Sequence, residues 1–315
     1  MTKRDPPTTE RIKTFILGSA RDPHDVKIFY KLSLVALLAW VGLGADGLSS
    51  SCYGPEEAFL TLGSHTYLGL FVALASALTI FVISTSYSQI IEAFPSGGGG
   101  YLVASKLLSP TFGMVSGCAL LIDYVLTIAI SIASGTDALF SFLPLEWHSY
   151  KLVFALGGVC FLIFLNLRGA KESVVPLVPI FATFILTHVF AIFYALITHL
   201  LKLPEVAGEV AFDMGQAQAE IGWAGMGFLL LRAYSMGAGT YTGIEAVSNS
   251  LPVLREPKVK TGKQTMRYMA ISLTFTVTGL MLAYLLYGVQ HQTGKTLNAV
   301  LFEQIVSNWK GNWGY

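Results

Sequence analysis

The chain has 315 residues, 53% of them hydrophobic and 12% charged, and a mean hydropathy of +0.61. Average soluble domains are about 25% charged, so a water-soluble globule is excluded and a polytopic membrane protein is expected. The net charge of +1 gives no argument for a nucleic-acid partner, and none is expected.

Residues 1–30 read as a charged cytoplasmic tail. They contain Pro6, Pro7 and Pro23 and lack the pattern of a cleaved signal peptide. A spanning helix needs about 20 apolar residues, and seven segments qualify: 31–62, 67–93, 107–143, 152–167, 174–201, 222–251 and 268–289. Lys and Arg concentrate in the tail and in the loops after the fourth and sixth segments (Arg168 and Lys171; Arg255, Lys258, Lys260, Lys263 and Arg267). Loops of the other parity carry few, Lys151 in one and Lys202 in another, and 202–221 is acidic. The positive-inside rule then places the N-terminus in the cytoplasm and the chain in the cell's inner (plasma) membrane. The expected division is transmembrane helices one to five over 31–201, an extracytoplasmic loop at 202–221, helices six and seven over 222–290, and a loop over 291–315.

Two segments carry mid-membrane interruptions. The first reads Gly42-Leu43-Gly44-Ala45-Asp46-Gly47-Leu48-Ser49-Ser50-Ser51, and a break is expected near 42–52. The sixth reads Gly237-Ala238-Gly239-Thr240-Tyr241-Thr242-Gly243-Ile244-Glu245, and a break is expected near 237–243. These residue types are poor helix formers, and unpaired backbone cannot face lipid. Breaks at matching places in two halves point to a transporter's binding site. Segments one and six stand five apart, as a repeated five-helix unit requires. Seven spans fit such a repeat badly, so the chain is read as the N-terminal part of a longer protein. The competing reading is two glycine-rich packing helices, which does not account for the carboxylate in each break.

Asp46, Asp123 and Glu245 all stand at membrane depth. Each costs roughly 2.5–3.5 kcal/mol at a helix centre on insertion scales. Asp123, Thr127 and Ser131 fall at i, i+4 and i+8, a polar stripe on an apolar helix with Tyr124 beside it. Thr242 and Glu245 share a face if helix has resumed there, and Tyr53 follows Asp46 by seven residues. Carboxylate, hydroxyl and carbonyl oxygens suit hard cations, so a monovalent cation, a proton or both is the expected ligand. Glu245 and Asp46 are the candidates to carry a coupled proton, and the sequence does not choose between them. For Ser131 alone, bonding back to its own helix is an equal alternative.

Arg232 reads equally as a counter-ion for the acids or as a side chain snorkelling outward. His188 is read as a satisfied core histidine. The three cysteines, Cys52, Cys118 and Cys160, have no paired spacing and are read as small core residues. The run Pro95-Ser96-Gly97-Gly98-Gly99-Gly100-Tyr101 is a hinge, a re-entrant bend or a tight turn; it lacks the Lys-Ser/Thr of a phosphate loop. No HExxH, GxSxG or cysteine-pair motif is present, and no enzymatic activity or cofactor is expected.

The strings GADGLSSSCYGPEE, FPSGGGGYLVASK, LLIDYVLTIAISIASGTDAL, LNLRGAKES and GTYTGIEAVSNSLP resemble the amino acid–polyamine–organocation superfamily, and more closely its potassium-importing KUP-type members. The likeness runs from about Val35 to Val289. It implies an all-α LeuT-type five-plus-five inverted repeat, with the second repeat only begun in this chain. It implies proton-driven potassium uptake, with potassium held by Asp46, Tyr53, Asp123, Tyr124, Thr127, Ser131, Thr242 and Glu245, and with Glu245 proton-linked. A homodimer formed through a further C-terminal part is also expected. Arg232 departs from the lysine expected at its position. An amino acid or other small organic solute is the alternative substrate; a bare carboxylate such as Asp46 repels an amino acid's carboxylate and favours a cation. A channel is disfavoured, since no TVGYG-like carbonyl filter is present.

Overall fold

The computed structural model describes residues 33–167 and 169–307, together with Thr9, Lys13, Thr14 and Trp309, with 170–172 described by backbone alone. The basic tail at 1–30 and the charges at Arg168 and Lys171 therefore lie outside the described residues, apart from those three tail positions.

The described residues form helices joined by short turns, with two isolated β-bridges and no sheet. In chain order they are α1 (Ala36–Thr61), α2 (Gly69–Ala93), α3 (Gly99–Leu107), α4 (Pro110–Phe140), α5 (Lys151–Leu167), α6 (Ala170–Thr198), α7 (Leu203–Met236), α8 (Ala246–Asn249), α9 (Lys258–Tyr287) and α10 (Leu297–Ser307). Five of the seven expected spans, 66–93, 110–140, 145–167, 173–198 and 258–287, are long and apolar enough to cross a membrane. The other two, α1 and the stretch through the end of α7, are too rich in small and polar residues to qualify on hydropathy. Expectation and structure agree on an all-α transmembrane protein.

The core is built on α9, which packs against α1, α2 and α6. Met266, Met269, Leu273, Val277, Leu280 and Tyr284 are all buried along it. Two apolar clusters flank this helix. One gathers Leu34, Ile80, Ile244 and Leu251 around its first half, and the other gathers Phe59, Ile192, Val210 and Leu301 around its second half. By contrast, α4 and α5 expose Leu121, Ile122, Val125, Leu152 and Phe161, the apolar outer surface that a lipid solvent requires. Cys118 and Cys160 lie exposed on these two helices, not in the core as expected, because the apolar stretches that hold them face outward.

The interruption expected near 42–52 is absent: α1 is one α-helix over 26 residues. Its serines do not unwind it, because their hydroxyls bond back along the helix, Ser49 and Ser50 to Asp46 O and Ser51 to Leu48 O, at 2.7, 3.0 and 2.6 Å. Its glycines serve close packing. A Cβ at Gly47 would stand 3.1 Å from Leu273, and one at Gly54 would stand 3.1 Å from the Gly237 carbonyl.

The break expected near 237–243 is there. Helix α7 ends at Met236, Gly237–Tyr241 forms a 3-10 turn, and Thr242 is extended (φ −64°, ψ 147°). Gly243 then takes a left-handed φ of 85°, open to glycine at little cost, and α-helix resumes only at Ala246. Thr242 and Glu245 therefore do not share a helix face.

Residues 202–221, expected as a loop, are mostly helical, forming the first part of α7 up to a kink at Gly222 (φ 70°). This part is anchored by a buried polar cluster. His65 Nδ1 lies 2.7 Å from Asp213 Oδ1, Asp213 Oδ2 accepts from Tyr67 N at 3.0 Å, and His65 Nε2 lies 3.5 Å from Glu220. The 291–315 segment likewise contains α10, where a loop is expected. Its first turn is held by Glu56 Oε1, which accepts from Leu297 N at 3.1 Å, and by Ser141 Oγ, which accepts from Thr296 N at 3.0 Å. A carboxylate at a helix N-terminus satisfies a free N–H and complements the helix dipole.

Candidate functional site

Asp46 faces the break from the middle of α1. Gly243 lies directly opposite, where a Cβ would stand 2.7 Å from Asp46 Oδ2. Only a residue without a side chain lets the broken segment approach the carboxylate so closely.

One turn further along α1, hydroxyls bridge the two elements. Ser50 Oγ shares a hydrogen bond of 2.7 Å with Tyr53 OH and lies 3.3 Å from Thr242 Oγ1. Thr242 donates to Gly239 O at 2.7 Å, and Ser50 donates to Asp46 O at 3.0 Å. Either of the facing Ser50 and Thr242 hydroxyls can donate to the other, so the crossing is lined by rotatable hydroxyl oxygens. The Tyr53 ring lies over Gly239, within 3.0 Å of where a Cβ would be.

On α4 the expected stripe is in place. Ser131 shares a 3.3 Å bond with Ser49, Thr127 is buried, and Asp123 is half-buried at the rim. Asp123 and Glu245 line one cavity of ≈ 250 Å³ with Tyr87, Tyr101, Ser116 and Asn249. Glu245 Oε1 is buried there with no hydrogen-bond partner. Tyr124 OH accepts from Asn249 Nδ2 at 2.8 Å. Asp46 lies outside this cavity's lining.

The eight expected residues therefore fall into two adjoining groups. Asp46, Tyr53 and Thr242 meet where α1 crosses the break. Asp123 and Glu245 line the cavity, with Tyr124 reached through Asn249 and with Thr127 and Ser131 continuing the α4 stripe, Ser131 bonded to Ser49. Among the described residues no set of three or more His, Cys, Asp or Glu side chains is arranged to hold a tightly chelated metal ion. The oxygens that gather here are mostly hydroxyl and carbonyl, with the acids spaced apart.

Ser49, Ser50, Tyr87 and Asn249 belong to this region and are not singled out by the sequence. Asn249 follows Glu245 by four residues, a helical spacing that marks it. Ser49 and Ser50 sit beside Asp46 but read there as breakers, and nothing local marks Tyr87.

Arg232 is exposed on α7 and, among the described residues, pairs with none of the three acids, which settles its two readings in favour of an outward-facing side chain. His188 is a satisfied core histidine, as expected. Its Nδ1 donates to Phe184 O at 2.9 Å, its Nε2 faces Cys52 Sγ at 3.7 Å, and its ring stacks on Phe184. The glycine run is a tight turn: Gly97, Gly98 and Gly99 all have positive φ, and α3 begins at Gly99.

An all-helical bundle with several helices long and apolar enough to cross a bilayer is that of a multi-pass membrane protein. The chain belongs to the amino acid permease family, whose profile matches residues 32–313. It is similar to the potassium transporter KimA of Bacillus subtilis (strain 168), 32% identical over 293 residues, a match covering 91% of this chain and 46% of that protein. It is also similar to the low-affinity putrescine importer PlaP of Escherichia coli (strain K12), 33% identical over 98 residues, covering 30% of this chain and 20% of that protein. The chain thus spans less than half the length of the curated relatives it matches.

Proposed function

We propose that this chain carries the cation site of a proton-coupled potassium importer of the inner (plasma) membrane, with its N-terminus in the cytoplasm. The observation that carries the reading is the unpartnered Oε1 of Glu245 in a cavity shared with Asp123. An acidic oxygen buried without a donor calls for a cation or a proton. The likeness to a protein named as a potassium transporter supports potassium. Potassium is coordinated at the junction of α1 with the break by Asp46, Tyr53 and Thr242, and along α4 by Asp123, Tyr124, Thr127 and Ser131. Glu245 carries the coupled proton, with Asp46 as the other candidate. The five-plus-five inverted repeat and a homodimer complete the reading.

The test is uptake by the full-length protein in cells lacking other potassium importers. Asp46→Asn, Asp123→Asn and Glu245→Gln should each lower potassium uptake at least tenfold, and collapsing the proton gradient should stop wild-type uptake. Equal growth of all three variants under potassium starvation overturns the assignment.

A second reading, an organic amine as substrate, draws on the match to a putrescine importer. It also draws on an apolar cavity of ≈ 410 Å³ lined by Ser49, Ser131, Phe181, Phe184 and Phe302, which has room for a hydrocarbon chain. Labelled putrescine uptake that survives removal of potassium would favour it.

A further inference from the structure

Asn249 closes the short helix α8, one turn after Glu245. Its Nδ2 donates to Tyr124 OH at 2.8 Å, tying the broken segment to α4. On its other side it meets the glycine turn. A Cβ at Gly99 would collide with the Asn249 carboxamide oxygen and with Ser248 Oγ, and one at Gly97 would stand 3.3 Å from Asn249 O. Three separate elements, α4, the broken segment and the turn that opens α3, thus meet at one side chain. That side chain also lines the cavity of Asp123 and Glu245.

We propose that Asn249 is a positioning residue for the cation site, holding the Tyr124 phenol in register. This rests on the functional reading above. A carboxamide suits the task because it is neutral and both donates and accepts. It occupies one lone pair of the phenol oxygen and leaves the phenol's own hydrogen free. An acid there would add a further negative charge to three already present, and an apolar residue would leave the phenol oxygen without its donor. Glycine at 99 is required on the other face, since any side chain would push the amide off Tyr124.

The test uses full-length protein with every native cysteine, Cys52, Cys118 and Cys160 among them, replaced by alanine and a single reporter, Ser116→Cys, on the cavity wall. Labelling by a membrane-impermeant thiol reagent is timed in this parent, in Asn249→Ala, in Tyr124→Phe and in the double variant. Potassium uptake is measured for the same four. Each single variant should speed labelling at least fivefold and raise the half-saturating potassium concentration about three- to tenfold with maximal rate within twofold. The double variant should match the singles, since Asn249 acts through Tyr124. Tyr124→Phe removes one hydroxyl and keeps the ring, so it serves as the test if Asn249→Ala fails to fold. Labelling of Asn249→Ala at the parent rate, multiplied effects in the double variant, or a fall in maximal rate at unchanged half-saturation overturns the proposal. Protection of the parent by potassium reads the cation site separately. Its absence sinks the functional reading, while the labelling cycle still decides the role of Asn249.

Discussion

Asp46 and Gly243 bring the intact and the interrupted helix into close approach. The carboxylate of Asp46 occupies the space a side chain at 243 would need, with Oδ2 2.7 Å from that ideal Cβ position. Gly243 also holds a φ of 85°, which costs an L residue roughly 1–2 kcal/mol. Gly243→Ala should therefore lower uptake at least tenfold and reduce thermal stability, measured on purified protein in detergent. Gly227→Ala, where a Cβ meets nothing within 4 Å, should leave both unchanged.

Glu245→Gln separates function from stability. An acid retained for structure would destabilise the fold when neutralised. Here Oε1 has no partner, and replacing an unsatisfied charged group by a neutral one of the same shape relieves desolvation. The melting temperature should rise while uptake falls at least tenfold. A lower melting temperature would show that the carboxylate serves the fold.

Thr242→Val removes the hydroxyl that bonds Gly239 O and faces Ser50 while keeping the branched shape. Loss of a half-buried hydroxyl from such a network costs about 0.5–1.5 kcal/mol. The same variant should weaken stabilisation by potassium. At a concentration of 100 times the dissociation constant a bound ion adds about 2.7 kcal/mol, and this gain should shrink in a thermal-shift titration.

Asp213→Asn tests the anchor of the first part of α7. Asp213 accepts from both His65 and the Tyr67 amide while 5% exposed. Replacing it should speed hydrogen exchange and proteolysis across 203–221 and leave the half-saturating potassium concentration unchanged. A shift in that concentration would connect this cluster to the cation site.

The long apolar helices and the break at 237–243 were legible because spanning length and glycine clustering are local signals. The acids were legible because any charge at membrane depth stands out. The continuity of α1 was not, although its composition resembles that of the second break. Its serines turn their hydroxyls back onto Asp46 and Leu48, and its glycines are matched by Leu273 and by the backbone at Gly237, which no local reading supplies. The helix at 203–221 was hidden because its acidic sequence reads as solvent-facing loop, whereas Asp213 is buried against His65 from a distant position. Asn249 and Ser50 enter the site through partners on other helices, so their roles emerge only once α4 and the break are in place.

The unbroken α1 has a mechanical consequence. Beside its first turn, Leu34 is stitched to the chain after the break, with Leu34 N donating to Val253 O and Arg255 N to Leu34 O, each at 2.9 Å. Near its far end, Glu56 grips the start of α10. Between them α1 runs as one helix of 26 residues, about 39 Å long at 1.5 Å per residue, with its one proline, Pro55, beside Glu56. For a rotation pivoting at the Asp46–Gly243 contact between these two attachments, a shift of the Leu34 end moves the Glu56 end the opposite way, so loosening one face of the bundle tightens the other.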